Sequence, residues 1–223
     1  MIPLRDSTRS KHFPIVTVLL ILINLVVFYF EIQLGQEGMA QLFYIFGLVP
    51  AKFMNDPSII EFIPFVTSTF LHGGWMHVIG NMWILWLFGD NVEDKMGRLH
   101  FLLFYLLMGT LAGLTHYAIS PASQVPVVGA SGAVAGIMGA YFLMFRHAKV
   151  LTFIPPFFLL NLPAWIYLGF WGLSQLYSGT LGLLSPDAGG QIAFWAHVGG
   201  FAGGMILYRF FIQREVKLDT QLY

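Results

Sequence analysis

Cysteine is absent from the 223-residue chain, which excludes disulfides, thiol nucleophiles and thiolate metal sites. Charge is nearly as scarce. Asp, Glu, Lys and Arg make up 10% of the residues, against about 25% in a soluble domain. Eleven basic and eleven acidic side chains cancel, so the chain lacks the positive footprint that a nucleic-acid partner requires. Apolar residues fill the space instead, at 57% of the sequence. That composition describes a membrane protein built mostly from helices, in which each span needs about 20 largely apolar residues.

Six segments meet the requirement: 14–32, 72–90, 100–119, 130–146, 150–177 and 191–212. The expected fold is an all-α six-helix bundle forming one membrane domain over residues 1–223. The flanking ends are too short to fold by themselves. The first apolar run is long for a signal-peptide core, and no A-x-A-like site follows it, so it reads as a retained helix. Pro155, Pro156 and Pro163 interrupt the fifth segment, which places the start of its helix near Pro163. About 40 residues separate the first two spans, and their shorter apolar stretches fit interfacial or re-entrant elements. A connection this long is usually functional.

Basic residues set the orientation. Six spans place Arg5, Arg9, Lys11, Lys95, Arg98, Arg146, Lys149, Arg209, Arg214 and Lys217 on one side and Lys52 on the other. The positive-inside rule makes that crowded side cytoplasmic, along with both termini. The long first loop, "SPASQVPVV" and "SGTLGLLSPDAGG" then face outward.

Polar residues inside spans are expensive and usually functional. Ser131 precedes Arg146 by 15 residues and His197 precedes Arg209 by 12, or about 22 and 18 Å of helix. His77 and Asn81 precede Asp90 by 13 and 9 residues, or about 20 and 14 Å. Three spans therefore carry polar groups in one layer. Gly132, Gly136 and Gly139 in one span, and Gly199, Gly200, Gly203 and Gly204 in another, allow two helix axes to approach closely. Such an approach brings His197 within reach of Ser131.

A serine needs an adjacent base to become a nucleophile. All eleven acids read as boundary or loop residues, so no aspartate is placed to orient a histidine, and the catalytic set reduces to a Ser-His dyad. His77, Asn81 and the Ser131 amide lie at a depth suited to holding an oxyanion. His72 and His116 read as structural. "HGGWMH" has no glutamate between its histidines, which argues against a zinc protease. Neither a metal nor a cofactor is expected. The bland alternative makes Ser131 a helix N-cap and its glycines packing spacers.

These residues resemble the rhomboid family of intramembrane serine proteases over about residues 60–212. The resemblance rests on "HGGWMHVIGN", "FGDNVEDKMGR", "GASGAVAGIMGAY" and "AHVGGFAGG" in that order. It implies Ser131 as nucleophile, His197 as base, and His77 and Asn81 lining the oxyanion hole. Glu93 matches a structural acidic position. The resemblance further implies cleavage of single-span membrane proteins near the outer face, without metal or ATP. It also implies a minimal six-helix prokaryotic type in a bacterial inner membrane, with no appended domain. The other reading it offers is a catalytically inactive relative that binds or escorts membrane proteins. A proton-coupled transporter is disfavoured, because no intramembrane carboxylate and no internal repeat are evident. Two positions depart from the family pattern: the first loop lacks a Trp-Arg pair, and Ala135 stands where some bacterial members have a tyrosine under the histidine. The expected route for a substrate helix lies between the second and fifth spans, past Trp83, Trp86, Trp165 and Trp171.

Overall fold

The structure, a computed structural model, describes residues 1–184 and 193–213. It is mostly helical. Six longer helices form the body: α1 (Ile15–Gln33), α6 (Trp75–Met96), α7 (Arg98–Ile119), α8 (Ser131–Met144), α9 (Ala164–Leu184) and α10 (Phe194–Leu207). Between α1 and α6 the chain folds into four shorter helices, α2 (Gly35–Phe46), α3 (Pro50–Asn55), α4 (Ile59–Phe62) and α5 (Pro64–Thr67). Among the described residues, α1 and α7 are long and apolar enough to cross a membrane on length and composition alone.

α8 is the centre of the body. Every residue from Gly132 to Tyr141 is buried, and α6, α7, α9 and α10 all pack against it. Its partner α10 comes closest, and glycine is the reason. A methyl group on Gly200 would meet the carbonyl oxygen of Gly132, and one on Gly204 that of Gly136. Reciprocally, a methyl group on Gly139 would meet the carbonyl of Phe201. The two backbones therefore touch over about two turns, as small-xxx-small faces permit.

Two buried acids tie the helices together. Glu93 accepts the Val16 and Thr17 amides at 3.0 and 2.8 Å and the Thr17 hydroxyl at 2.8 Å. It thereby caps α1, whose own N-terminus has no side-chain cap. Glu31, 0% exposed, accepts the backbone amide of His72. The sequence reads both as boundary acids, but the first turn of α1 packs on Glu93 and the loop before α6 on Glu31, and both are buried.

The all-helical expectation needs correction. Strands β1 (Ile2–Asp6), β2 (Lys149–Ile154) and β3 (Phe158–Pro163) form an antiparallel sheet in the order β1-β2-β3. Residues 150–163, read as the first half of a span, are a hairpin. Prolines 155 and 156 cannot extend a helical ladder but tolerate a turn, and the flanking runs suit strands. The N-terminal segment, too short to fold alone, completes the sheet on β2. The fifth helix starts at Ala164, directly after Pro163. It runs on to Leu184, so residues 178–184 of the expected outward loop are helical. The remainder of that loop, residues 191–192 of the sixth segment, and Arg214 and Lys217 lie outside the described residues.

Candidate active site

Ser131 is the first residue of α8 and is not its cap. Ala130 holds that position, and no side chain bonds the helix start. The serine hydroxyl instead donates to Nε2 of His197 on α10 at 2.8 Å. The glycine contact between α8 and α10 sets this distance, because Gly200 lies one turn beyond His197 and rests on Gly132.

The other ring nitrogen has a partner that the sequence did not disclose. His197 Nδ1 and Gln175 Oε1 of α9 are 2.8 Å apart. The amide orientation follows from its other end, where Gln175 Nε2 donates to Ser174 Oγ at 3.0 Å. Ser174 in turn donates to the Trp171 carbonyl at 2.6 Å. Gln175 Oε1 is therefore an acceptor, Nδ1 carries the proton, and Nε2 presents its lone pair to the serine. The Trp171 ring lies 5.9 Å from the His197 ring, tilted by 34°. It covers the histidine where Ala135, buried within α8, offers no aromatic surface.

His77 and Asn81 lie on α6 across from the pair, in the wall of a cleft of about 1070 Å³ that Ser131 and His197 also line. Neither bonds to Ser131. The His77 ring rests against Gly129, whose φ of +125° suits glycine and whose place a larger residue could not take without striking Nε2. Asn81 Nδ2 donates to His72 Nε2 at 3.1 Å, which leaves its second amide proton for another acceptor. His72, read as structural, thus anchors Asn81. Among the described residues, no three His, Asp or Glu side chains gather as a metal site would require. Trp83, Trp86 and Trp165 are exposed on α6 and α9, whereas Trp171 points inward onto His197 and Phe201.

A family model described as a Rhomboid domain matches residues 60–214. The chain belongs to the rhomboid family. As a rhomboid it is membrane-integral, of a family that acts on membrane-protein substrates within the bilayer. It is 29% identical over 163 residues to the yeast (Saccharomyces cerevisiae) "Rhomboid protein 1, mitochondrial", a match covering 71% of this chain and 44% of that protein. To the Arabidopsis thaliana "Rhomboid-like protein 11, chloroplastic" it is 35% identical over 118 residues, or 53% of this chain and 38% of the relative. To the zebrafish (Danio rerio) "Presenilin-associated rhomboid-like protein A, mitochondrial" it is 31% identical over 98 residues, 43% and 26% of the two chains. The rhomboid spans less than half the length of these curated relatives.

Proposed function

We propose that this rhomboid is an intramembrane serine endopeptidase with Ser131 as nucleophile and His197 as general base. The observation that carries the reading is the Ser131 hydroxyl donating to a histidine nitrogen whose opposite N–H is held by Gln175. That is the tautomer a general base needs. Ser131 attacks the scissile carbonyl carbon as its proton moves to His197 Nε2. The resulting oxyanion meets the His77 ring, the Asn81 amide and the Ser131 backbone N–H, which at the first turn of α8 has no helical carbonyl to bond. His197 then protonates the leaving amine, and a water activated by the same histidine releases the acyl group.

The substrate is a single-span membrane protein. The six longer helices cross the bilayer as one domain, with the basic end and both termini in the cytoplasm of a bacterial cell. α8 contains 14 residues, or about 21 Å of helix, against a core of about 30 Å. Ser131 therefore opens roughly 10 Å below the far surface. A peptide bond reaches it once the substrate helix unwinds locally, because helical carbonyls are otherwise hydrogen-bonded.

Reconstitution with a single-span test substrate checks the reading. Wild-type protein should cleave it, and Ser131→Ala and His197→Ala should each abolish cleavage while eluting as folded protein. Because dyad members act as a unit, the double variant should be no worse than either single one. Undiminished turnover by Ser131→Ala would overturn the assignment.

A further inference from the structure

The three-stranded sheet lies at the ends of α8 and α9 remote from Ser131, since β2 follows α8 and β3 runs directly into α9. One face packs on the helices, with Pro3, Val150 and Thr152 buried. The other face is open. Strand alternation would place Leu4 opposite Leu151 and turn Arg5 inward toward buried Val150. A bulge between Pro3 and Arg5 changes this, and Arg5 pairs with Leu151 instead. The extra residue re-aims the arginine onto the open face, beside Lys149 and Asn161.

The chain after β1 then curls around Lys149. Ser7 donates its amide to the Lys149 carbonyl at 2.8 Å and accepts the Lys149 amide on its hydroxyl at 2.9 Å. The result is a cavity of about 430 Å³ whose lining includes Arg5, Arg9, Lys149, Thr8 and Asn161. Asp6 lines it as well, but its Oδ2 is already engaged, accepting the Tyr141 hydroxyl and the Asn91 side-chain amide. Three cations and one carboxylate thus line one space large enough for a small ligand.

With the helices crossing the bilayer as proposed above, the sheet also runs into the membrane. Asp6 is level with Asn91 of α6, whereas the Pro3 carbonyl accepts from Trp83 Nε1. Trp83 lies eight residues earlier in α6, about 12 Å deeper. At that deeper end the side chains are apolar and open: Ile2 is 48%, Phe157 88%, Phe158 61% and Leu159 58% exposed. Cations sit at the boundary and greasy side chains lie one headgroup-depth further in, which is the order of groups along a phospholipid.

We propose that this cavity binds the phosphate-bearing headgroup of an anionic phospholipid, with the apolar end of the sheet among its acyl chains. The proposal rests on the span arrangement proposed above and is independent of the dyad. The test is native mass spectrometry of the detergent-purified full chain with phosphatidylglycerol or phosphatidylcholine. One phosphatidylglycerol should be retained in preference to phosphatidylcholine. Retention should fall about 10- to 30-fold in the Arg5→Gln/Lys149→Gln variant, since two surface cations are lost. Asn161→Asp, which adds a negative charge at an exposed edge position, should weaken retention as well. Arg146→Gln, at the same end but outside the cavity, should leave it unchanged. Equal retention of the two lipids, or an equal loss with Arg146→Gln, would overturn the proposal. Displacement of phosphatidylglycerol by millimolar inorganic phosphate would overturn it too, since the site would then be one for the free anion.

Discussion

Gln175 accepts the Nδ1 proton of His197 at 2.8 Å, and the two residues come from different helices, α9 and α10. In Ser-His-Asp proteases the orienting group is a carboxylate that also stabilises the imidazolium. Here it is a neutral amide that can fix the tautomer but contributes little charge stabilisation. Gln175 is accordingly a positioning residue, and its own link to Ser174 keeps its oxygen facing the ring.

Gln175→Leu should lower kcat about 10- to 100-fold with KM unchanged, corresponding to one lost buried hydrogen bond. Gln175→Glu keeps an acceptor at the same reach and should retain more activity than the leucine variant. It should also move the pH profile of kcat/KM upward, because a carboxylate favours the protonated histidine. Steady-state kinetics over a pH series reads both effects. A purely structural Gln175 would lower the melting temperature in both variants and leave the profile in place.

The glycine contact between α8 and α10 yields a packing prediction. Gly200→Ala drives a methyl group into the Gly132 carbonyl, and backbone cannot yield as a flexible side chain can. The expected cost is about 1–3 kcal/mol, together with a disproportionate loss of activity as His197 is pushed from Ser131. Gly182→Ala on α9, where nothing lies within 4 Å of the new methyl, should be neutral or stabilising. Thermal denaturation and turnover of the same preparations compare the two.

His77 and Asn81 should behave differently from each other. The His77 side chain has no described hydrogen-bond partner and faces Gly129 beside the serine, so His77→Ala should lower kcat about 10²-fold with the melting temperature preserved. Asn81 also donates to His72, so Asn81→Ala should lower kcat and cost about 1–2 kcal/mol of stability. Stability loss in either variant without a kcat defect would return that residue to the scaffold.

The sequence made the long helices legible because uninterrupted apolar runs have few alternatives in a chain with so little charge. Meeting of Ser131 and His197 was legible from shared depth and from glycines spaced four apart. The sheet was not, because "KVLTFIPPFFLLNLP" is apolar but for Lys149, Thr152 and Asn161, and periodicity cannot separate a buried strand from a helix in such a run. Its prolines were the usable cue, and they did mark where α9 begins. Gln175 was illegible for another reason. A lone amide has no sequence spacing that relates it to a histidine on the next helix, and tertiary placement alone makes the pair. Trp171, read with the other tryptophans as flanking a substrate route, lies over His197 and lines the cleft that Ser131 opens into, a placement no sequence spacing reveals.

The central claim is that His197 activates Ser131, and a fluorophosphonate probe reports on that directly because it modifies activated serines. Intact protein in detergent, labelled and mapped by mass spectrometry, should carry one adduct, on Ser131. His197→Ala should reduce labelling to the background set by Ser131→Ala, and Gln175→Leu should label more slowly than wild type. Adduct formation at an equal rate in wild type and His197→Ala, or at another serine, would contradict the account.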